Sequence, residues 1–334
     1  MLPDVRLKGW GYFLPETSVS NTELAERIGT TDDLGESTGI AQRHFSAPGH
    51  GPSGLAQKAS MVALDRAAIE VDDLALLVFA TTTPDVAFPG SACFLQEKLS
   101  APTVGALDIR AQSAGFVAAL DMAAGFSGVH QTDDGGAPIL VAAAEVFSSC
   151  LDFSPAGQEM ASRLGDGAAV AVLAAGGAGP RLLSSRWYTD GTLLDKFWTD
   201  APHSWQMGGR LLPADLAEGR HYPQADLPAL RDVARQRLLE VLREVGAETQ
   251  TELASAARVV IDYVEPKIAR EVAAELGLSA EQLVVPTAEF GHVMAAGTGI
   301  ALARTLEEAR AGDRIVLASA GPGFTWGAAV IEVD

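Results

Sequence analysis

A chain of 334 residues is long enough for two modest domains or one large duplicated one, and a hydrophobic share of 48% with few aromatics and 34 glycines suits a tightly packed α/β protein. A net charge of −19 argues against nucleic acid as a partner, since binding a polyanion needs a basic surface to replace counterions. No apolar run reaches the length of a membrane span, and the start Met1-Leu-Pro-Asp lacks the charged and apolar regions of a secretion signal, so no membrane partner and a cytoplasmic location are expected. The two cysteines, Cys93 and Cys150, cannot build a disulfide framework and have no Cys or His at metal-ligand spacing; both are read as buried small apolar residues, and no metal is expected.

In chain order, Val5 to Leu14 alternates as a strand does and stops at Pro15, and Asn21 to Ile28 reads as a capped helix ended by Gly29. Thr30 to Phe45 is polar and glycine-bearing and is read as a surface loop. Leu55 to Ile69 has helical spacing and leads into Leu74 to Thr83, an apolar run typical of a strand covered on both faces. A turn at Asp85 to Gly90 precedes a helix through Gln96, and a short strand opens at Leu107. An Ala-rich helix follows from Gly115, and Pro138 to Glu145 is a further strand. Alternating strands and helices predict a mainly parallel sheet.

The second half repeats this grammar. Gly327-Ala-Ala-Val-Ile-Glu-Val echoes Gly167-Ala-Ala-Val-Ala-Val-Leu, Ala257 to Asp262 echoes the Leu74 strand, and Arg314 to Ala320 echoes Ile139 to Ala144. Phe290 to Leu302 sits where the junction around Ser113 sits in the first half. Four echoes in preserved order indicate an internal duplication, with halves at 1–176 and 177–334. Arg181 to Asp226 between them is read as irregular; its aromatic residues, with Trp205 and Met207 among them, either roof a ligand pocket or patch the edge of the core. Leu227 to Val245 is an amphipathic helix.

Ser113 falls where a strand gives way to a helix. There the unpaired N–H groups and positive dipole end stabilise negative charge on an attacking oxygen or the oxyanion it creates; an isolated serine at such a place is more simply a helix cap. The duplication brings a second junction, bearing His292, to the same centre.

Taken together, Gly9-Trp-Gly-Tyr-Phe-Leu-Pro, Ser37-Thr-Gly-Ile-Ala-Gln-Arg, Ala80-Thr-Thr-Thr, Ala87-Phe-Pro, Ala114-Gly-Phe, Leu164-Gly-Asp-Gly-Ala-Ala and Gly323-Phe-Thr-Trp-Gly-Ala resemble the ketoacyl-acyl carrier protein synthase III branch of the thiolase superfamily over nearly the whole chain. The resemblance implies a five-layered αβαβα thiolase fold and a homodimer. It implies no permanently bound cofactor, the substrate being an acyl-phosphopantetheine thioester on acyl carrier protein or an acyl-coenzyme A. Aligned on Ala114-Gly-Phe, the family cysteine falls on Ser113, its histidine on Asp262 and its asparagine on His292, so Cys-His-Asn becomes Ser-Asp-His. A serine hydroxyl needs a base within hydrogen-bond reach and the base needs an orienting carboxylate, which are the residue types present.

Two departures shape the expected reaction. An aspartate in the histidine position would face a malonyl carboxylate at short range, which demotes carbon–carbon condensation. In place of the family's Gly-Gly-Gly-Phe loop stands Gly321-Pro-Gly-Phe, and Pro322 has no N–H, so the oxyanion is expected to rest on Ser113 N–H plus some other donor. The expected activity is acyl transfer through Ser113 to a small-molecule alcohol or amine, in the making of a secondary metabolite such as a polyketide; the alternatives are a thioesterase, a condensing enzyme and a catalytically silent acyl-binding subunit. The family tryptophan that stacks on coenzyme A falls on Leu34, which favours an acyl carrier protein donor, with Lys267 and Arg270 as its contact. Phe88 falls on the phenylalanine that enters the partner subunit's pocket, or else is a core aromatic, and Phe324 is assigned to the substrate pocket.

Overall fold

In the computed structural model, which describes residues 3–129, 131–132, 135–204 and 210–334, two sets of five strands carry the same order. The first set comprises β1 (Val5–Phe13), β2 (Leu76–Ala80), β3 (Gly105–Ile109), β4 (Ile139–Val146) and β5 (Asp166–Ala175), arranged β3-β2-β4-β5-β1. The second comprises β6 (Arg181–Thr189), β7 (Arg258–Asp262), β8 (Leu283–Val284), β9 (Arg314–Gly321) and β10 (Thr325–Glu332), arranged β8-β7-β9-β10-β6. In each set the first three strands of that spatial order are parallel and the last two antiparallel. The sets meet where Arg6 of β1 is paired with Arg181 of β6. Each of the three strand echoes read from the sequence falls on the corresponding strand of the other set.

The helices repeat as well: α1 (Pro52–Ala67), α2 (Ser91–Lys98) and α3 (Gly115–Val129) have counterparts in α4 (Leu227–Thr249), α5 (Pro266–Glu275) and α6 (Met294–Leu306). α1 covers one outer face, against β1, β5 and β4, and α4 covers the other, against β10, β9 and β6. Helices α3 and α6 lie together between the sheets, giving the αβαβα layering. Their sequences are apolar on all sides because both faces of the pair meet a sheet, and Phe116, Val117, Leu120, Ile300 and Leu302 are fully buried there. A Cβ at Gly115 would come within 2.8 Å of Ala295 Cβ, so the two central helices meet closely at their first turns. That contact sets Ser113 and His292 beside each other.

Three sequence expectations are corrected. Arg181–Thr189 is a regular strand, the counterpart of β1; its run Leu-Leu-Ser-Ser does not alternate, and its exposed aromatics Trp187 and Tyr188 look like loop residues. Thr30 to Phe45 is not a surface loop: it holds a short helix, Leu34–Thr38, and a short strand, Gln42–His44, and buries Leu34, Ile40, Arg43 and Phe45. Its polar residues serve as the Asp33 helix cap and as ligands of the buried Arg43 guanidinium. Cys93 is exposed, on the outward side of α2, and Cys150 is half-buried.

Candidate active site

The backbone around Ser113 is a three-residue 3-10 turn, Gln112–Ala114, that passes straight into α3. The second residue of such a turn has no intrahelical acceptor for its N–H, so Ser113 N–H is free to serve a developing oxyanion at a helix start. The serine side chain is not a cap. Its Oγ lies 3.0 Å from His292 Nε2 and 3.5 Å from Met294 Sδ.

The second half of the chain holds this turn in place. Ser319 Oγ at the end of β9 donates to Ser113 O at 2.9 Å, and Thr325 Oγ1 at the start of β10 donates to Ala111 O at 3.1 Å. Gly321 is required by space: a Cβ there would overlap the Ser113 hydroxyl. On the other side, Thr82 Oγ1 donates to Gln112 Oε1 at 3.0 Å, and Gln112 takes a left-handed conformation with φ +49°. Thr82 is itself fixed by Glu145, a fully buried carboxyl on β4 that accepts from Thr82 N–H at 3.0 Å, Thr83 N–H at 3.0 Å and Thr83 Oγ1 at 2.8 Å. Burial pushes this carboxyl up to about 7, and those hydrogen bonds pull the other way.

His292 is clamped between two straps. Its N–H donates to Arg163 O at 2.7 Å and its carbonyl accepts from Gly165 N–H at 3.1 Å. Beneath it runs the buried Arg43, whose guanidinium donates to Ser162 O and Asn21 Oδ1 and whose side chain packs on Gly291. Burial and the nearby Arg163 pull the Arg43 guanidinium down to about 10. His292 Nδ1 faces Thr287 Oγ1 at 3.1 Å and Asp262 Oδ1 at 3.3 Å, and Thr287 Oγ1 donates to Asp262 Oδ1. Asp262, at the end of β7, sits in space left by Gly297, where a Cβ would overlap its Oδ2. Ser113, Asp262 and His292 are all 0% exposed.

The structure thus brings the three residues singled out in the sequence together, His292 beside Ser113 and Asp262 reaching the ring through the Thr287 hydroxyl. Thr287, Glu145, Ser319, Arg43 and Gly321 were not singled out. A threonine in Pro-Thr-Ala-Glu or a serine ending a strand has no periodicity or spacing to distinguish it; the glycine before Pro322 was the nearest signal.

In the loop Gly321-Pro-Gly-Phe, the turn Pro322–Phe324 commits its Phe324 N–H to Asp190 O at 2.9 Å, so neither Pro322 nor Phe324 offers a donor. Phe324 is 1% exposed and packs beside Trp326, with ring centroids 6.2 Å apart. Phe88 is 80% exposed and is no core aromatic. Trp205 and Met207 lie outside the described residues. Lys267 and Arg270 are exposed on α5, Lys267 within 3.8 Å of Glu271. Of the other histidines, His203 is buried. Beside the Glu145–Thr82 support opens a cleft of about 860 Å³, lined among others by Thr82, Thr83, Asp85, Phe147, Cys150 and His221. Burial and the neighbouring Glu145 and Asp166 carboxyls push the Cys150 thiol up to about 12, leaving it protonated and inert. Among the described residues no group of His, Cys, Asp and Glu could hold a metal ion, and no helix is long and apolar enough to cross a membrane.

Residues 107–191 match the family model for 3-oxoacyl-[acyl-carrier-protein (ACP)] synthase III, and residues 247–333 match the model for its C-terminal part. The chain is 34% identical over 333 residues to a beta-ketoacyl-[acyl-carrier-protein] synthase III of Rhizorhabdus wittichii, covering 97% of this chain and 98% of that one. It is 32% identical over 338 residues to the enzyme of the same name from Xylella fastidiosa, covering 98% of each. Among solved structures, the 3-oxoacyl-(acyl carrier protein) synthase III of Pseudomonas aeruginosa superposes with a TM-score of 0.86 at 29% identity, over 99% of this chain and 98% of that one.

Proposed function

The chain belongs to the 3-oxoacyl-[acyl-carrier-protein (ACP)] synthase III family of the thiolase superfamily, and from that premise we propose that it is a serine-based acyltransferase. The observation that carries this reading is the 3.0 Å contact of Ser113 Oγ with His292 Nε2, backed on the far side of the ring by Asp262. Ser113 Oγ attacks the thioester carbonyl and His292 Nε2 takes its proton. The oxyanion is met by Ser113 N–H at the head of α3. Collapse of the intermediate expels the thiolate, which leaves as the thiol with the proton from His292. An alcohol or amine then gives its proton to His292 and attacks the acyl-serine, and Ser113 recovers the proton. Asp262 stabilises the imidazolium formed in each half-reaction. The water-excluding surroundings of the three side chains strengthen each of these interactions.

The same geometry speaks against condensation. A malonyl carboxylate brought to this centre would meet the Asp262 carboxylate in a desolvated site, where like charges repel strongly. The donor we favour is an acyl group on the phosphopantetheine of acyl carrier protein, with Lys267 and Arg270 meeting the carrier's acidic surface and the acceptor held in the cleft beside Thr82. A second copy of the chain is the proposed partner for Phe88 and for the outer side of β3, which ends the sheet.

The test is thiol release from acyl-carrier-protein and acyl-coenzyme A thioesters, followed with and without alcohol or amine acceptors. An acceptor should speed release and appear in an ester or amide product. Asp262→Asn should slow it roughly a thousandfold or more, because the histidine loses its orienting carboxylate. Release that Ser113→Ala leaves at the parent rate would rule this function out.

A further inference from the structure

The carboxylate and the imidazole of this centre are not well joined directly. Asp262 Oδ1 to His292 Nδ1 is 3.3 Å, beyond the usual range of an N–H···O hydrogen bond, whereas the Thr287 hydroxyl reaches both groups, Nδ1 at 3.1 Å and Asp262 Oδ1 more closely still. Donor counting then decides where the protons are. A carboxylate only accepts, so the single Thr287 proton goes to Asp262 Oδ1. The Thr287 oxygen can therefore meet His292 Nδ1 only as an acceptor, and Nδ1 must carry the ring proton. Nε2 is left bare and faces the Ser113 hydroxyl at 3.0 Å, as a general base must. Asp262 leans on this hydroxyl, since its other oxygen, Oδ2, has no hydrogen-bond partner among the described residues.

We infer that Thr287 is a positioning residue of the acyl-transfer site: its hydroxyl links Asp262 to His292 and sets the histidine tautomer that can accept the serine proton. The inference rests on the reading of Ser113, His292 and Asp262 as the catalytic set, and it assigns to the short helix Pro286–Phe290 a role in the chemistry beyond carrying the chain to His292. The hydroxyl acts through His292 and touches no reacting atom.

Two variants separate the hydroxyl from the space the residue fills. Thr287→Val keeps the shape and removes the hydroxyl; Thr287→Ser keeps the hydroxyl and removes a methyl. Rapid-quench measurement of Ser113 acylation over a range of thioester concentrations gives a limiting rate and a half-saturating concentration for each. Thr287→Val should lower the limiting rate roughly 10- to 100-fold, the worth of one hydrogen bond to a charged group, with the half-saturating concentration unchanged. Thr287→Ser should restore the parent rate. In ¹⁵N-histidine NMR, the parent and Thr287→Ser should show His292 protonated at Nδ1, and Thr287→Val should lose that single tautomer.

A Thr287→Val protein that acylates like the parent, or a Thr287→Ser protein as slow as Thr287→Val, would each overturn the inference while leaving the acyl-enzyme reading standing, whereas a parent His292 protonated at Nε2 would overturn the inference together with the general-base role given to His292. A parent that takes no acyl group from any thioester would overturn that reading, and the inference with it.

Discussion

Gly321 is the residue on whose missing side chain the placement of Ser113, the proposed nucleophile, most directly depends. Its φ of −176° is ordinary extended backbone that any residue adopts, so an alanine there is refused by space alone. Gly321→Ala should push the Ser113 hydroxyl off its line to His292 and slow acylation roughly a hundredfold, while the thermal midpoint falls by only a few degrees; burst kinetics beside a thermal melt check both. A variant with parent-like acylation would mean that Ser113 works from another position. Residue types made part of this centre legible: a serine, a histidine and an aspartate at the positions where related chains hold catalytic side chains invite a nucleophile, a base and an orienting acid. Thr287 and Ser319 were not legible, because what they do depends on which atoms the fold brings within 3.1 Å of their hydroxyls.

At the scale of elements, the segment from Thr30 to Phe45 shows how polarity misleads. Arg43 reads as a solvated residue, yet it is fully buried, tying Asn21 to Ser162 beneath the loop that carries His292. Arg43→Ala would leave a cavity and strand Ser162 O without its donor. It should lower stability by roughly 3 kcal/mol in urea denaturation and slow acylation as the His292 straps relax. The strand β6 was hidden for a related reason: it faces a helix on one side and carries Trp187 and Tyr188 half into solvent, so neither alternation nor a continuous apolar run marks it. Strands buried on both faces, β2, β4 and β5, were plain from their composition.

For the molecule as a whole, the duplication was readable because three strands and one junction leading into a central helix recur in order, and the structure places each on its counterpart. Its consequence is a centre built from both halves, with Ser113 at the head of one central helix and His292 at the head of the other. The outer side of β3 and the exposed Phe88 lie on the first half; sedimentation should give twice the chain mass, and Phe88→Asp should shift the protein toward the monomer. A second whole-molecule property follows from Glu145. Its carboxyl is pushed up to about 7 in the native state from 4.5 in the unfolded chain, so the native state holds this proton more tightly. The stability this confers is full below about 4.5 and is lost as pH rises through about 7, of order 3 kcal/mol in all. Asp166 and Asp121, both raised by burial, add slopes of the same sign. Urea denaturation between pH 5 and 8 should show the decline, and Glu145→Gln should flatten it without abolishing it.

The proposed reaction passes through a covalent bond to one oxygen, and intact-protein mass spectrometry sees that bond directly. After brief exposure to acyl-carrier-protein and acyl-coenzyme A thioesters, the parent should gain the mass of one acyl group. Peptide mapping should place it on Ser113, with slower gain in His292→Ala and none in Ser113→Ala. An adduct that survives Ser113→Ala, or thioester turnover that neither forms an adduct nor depends on Ser113, would contradict a serine acyl-enzyme.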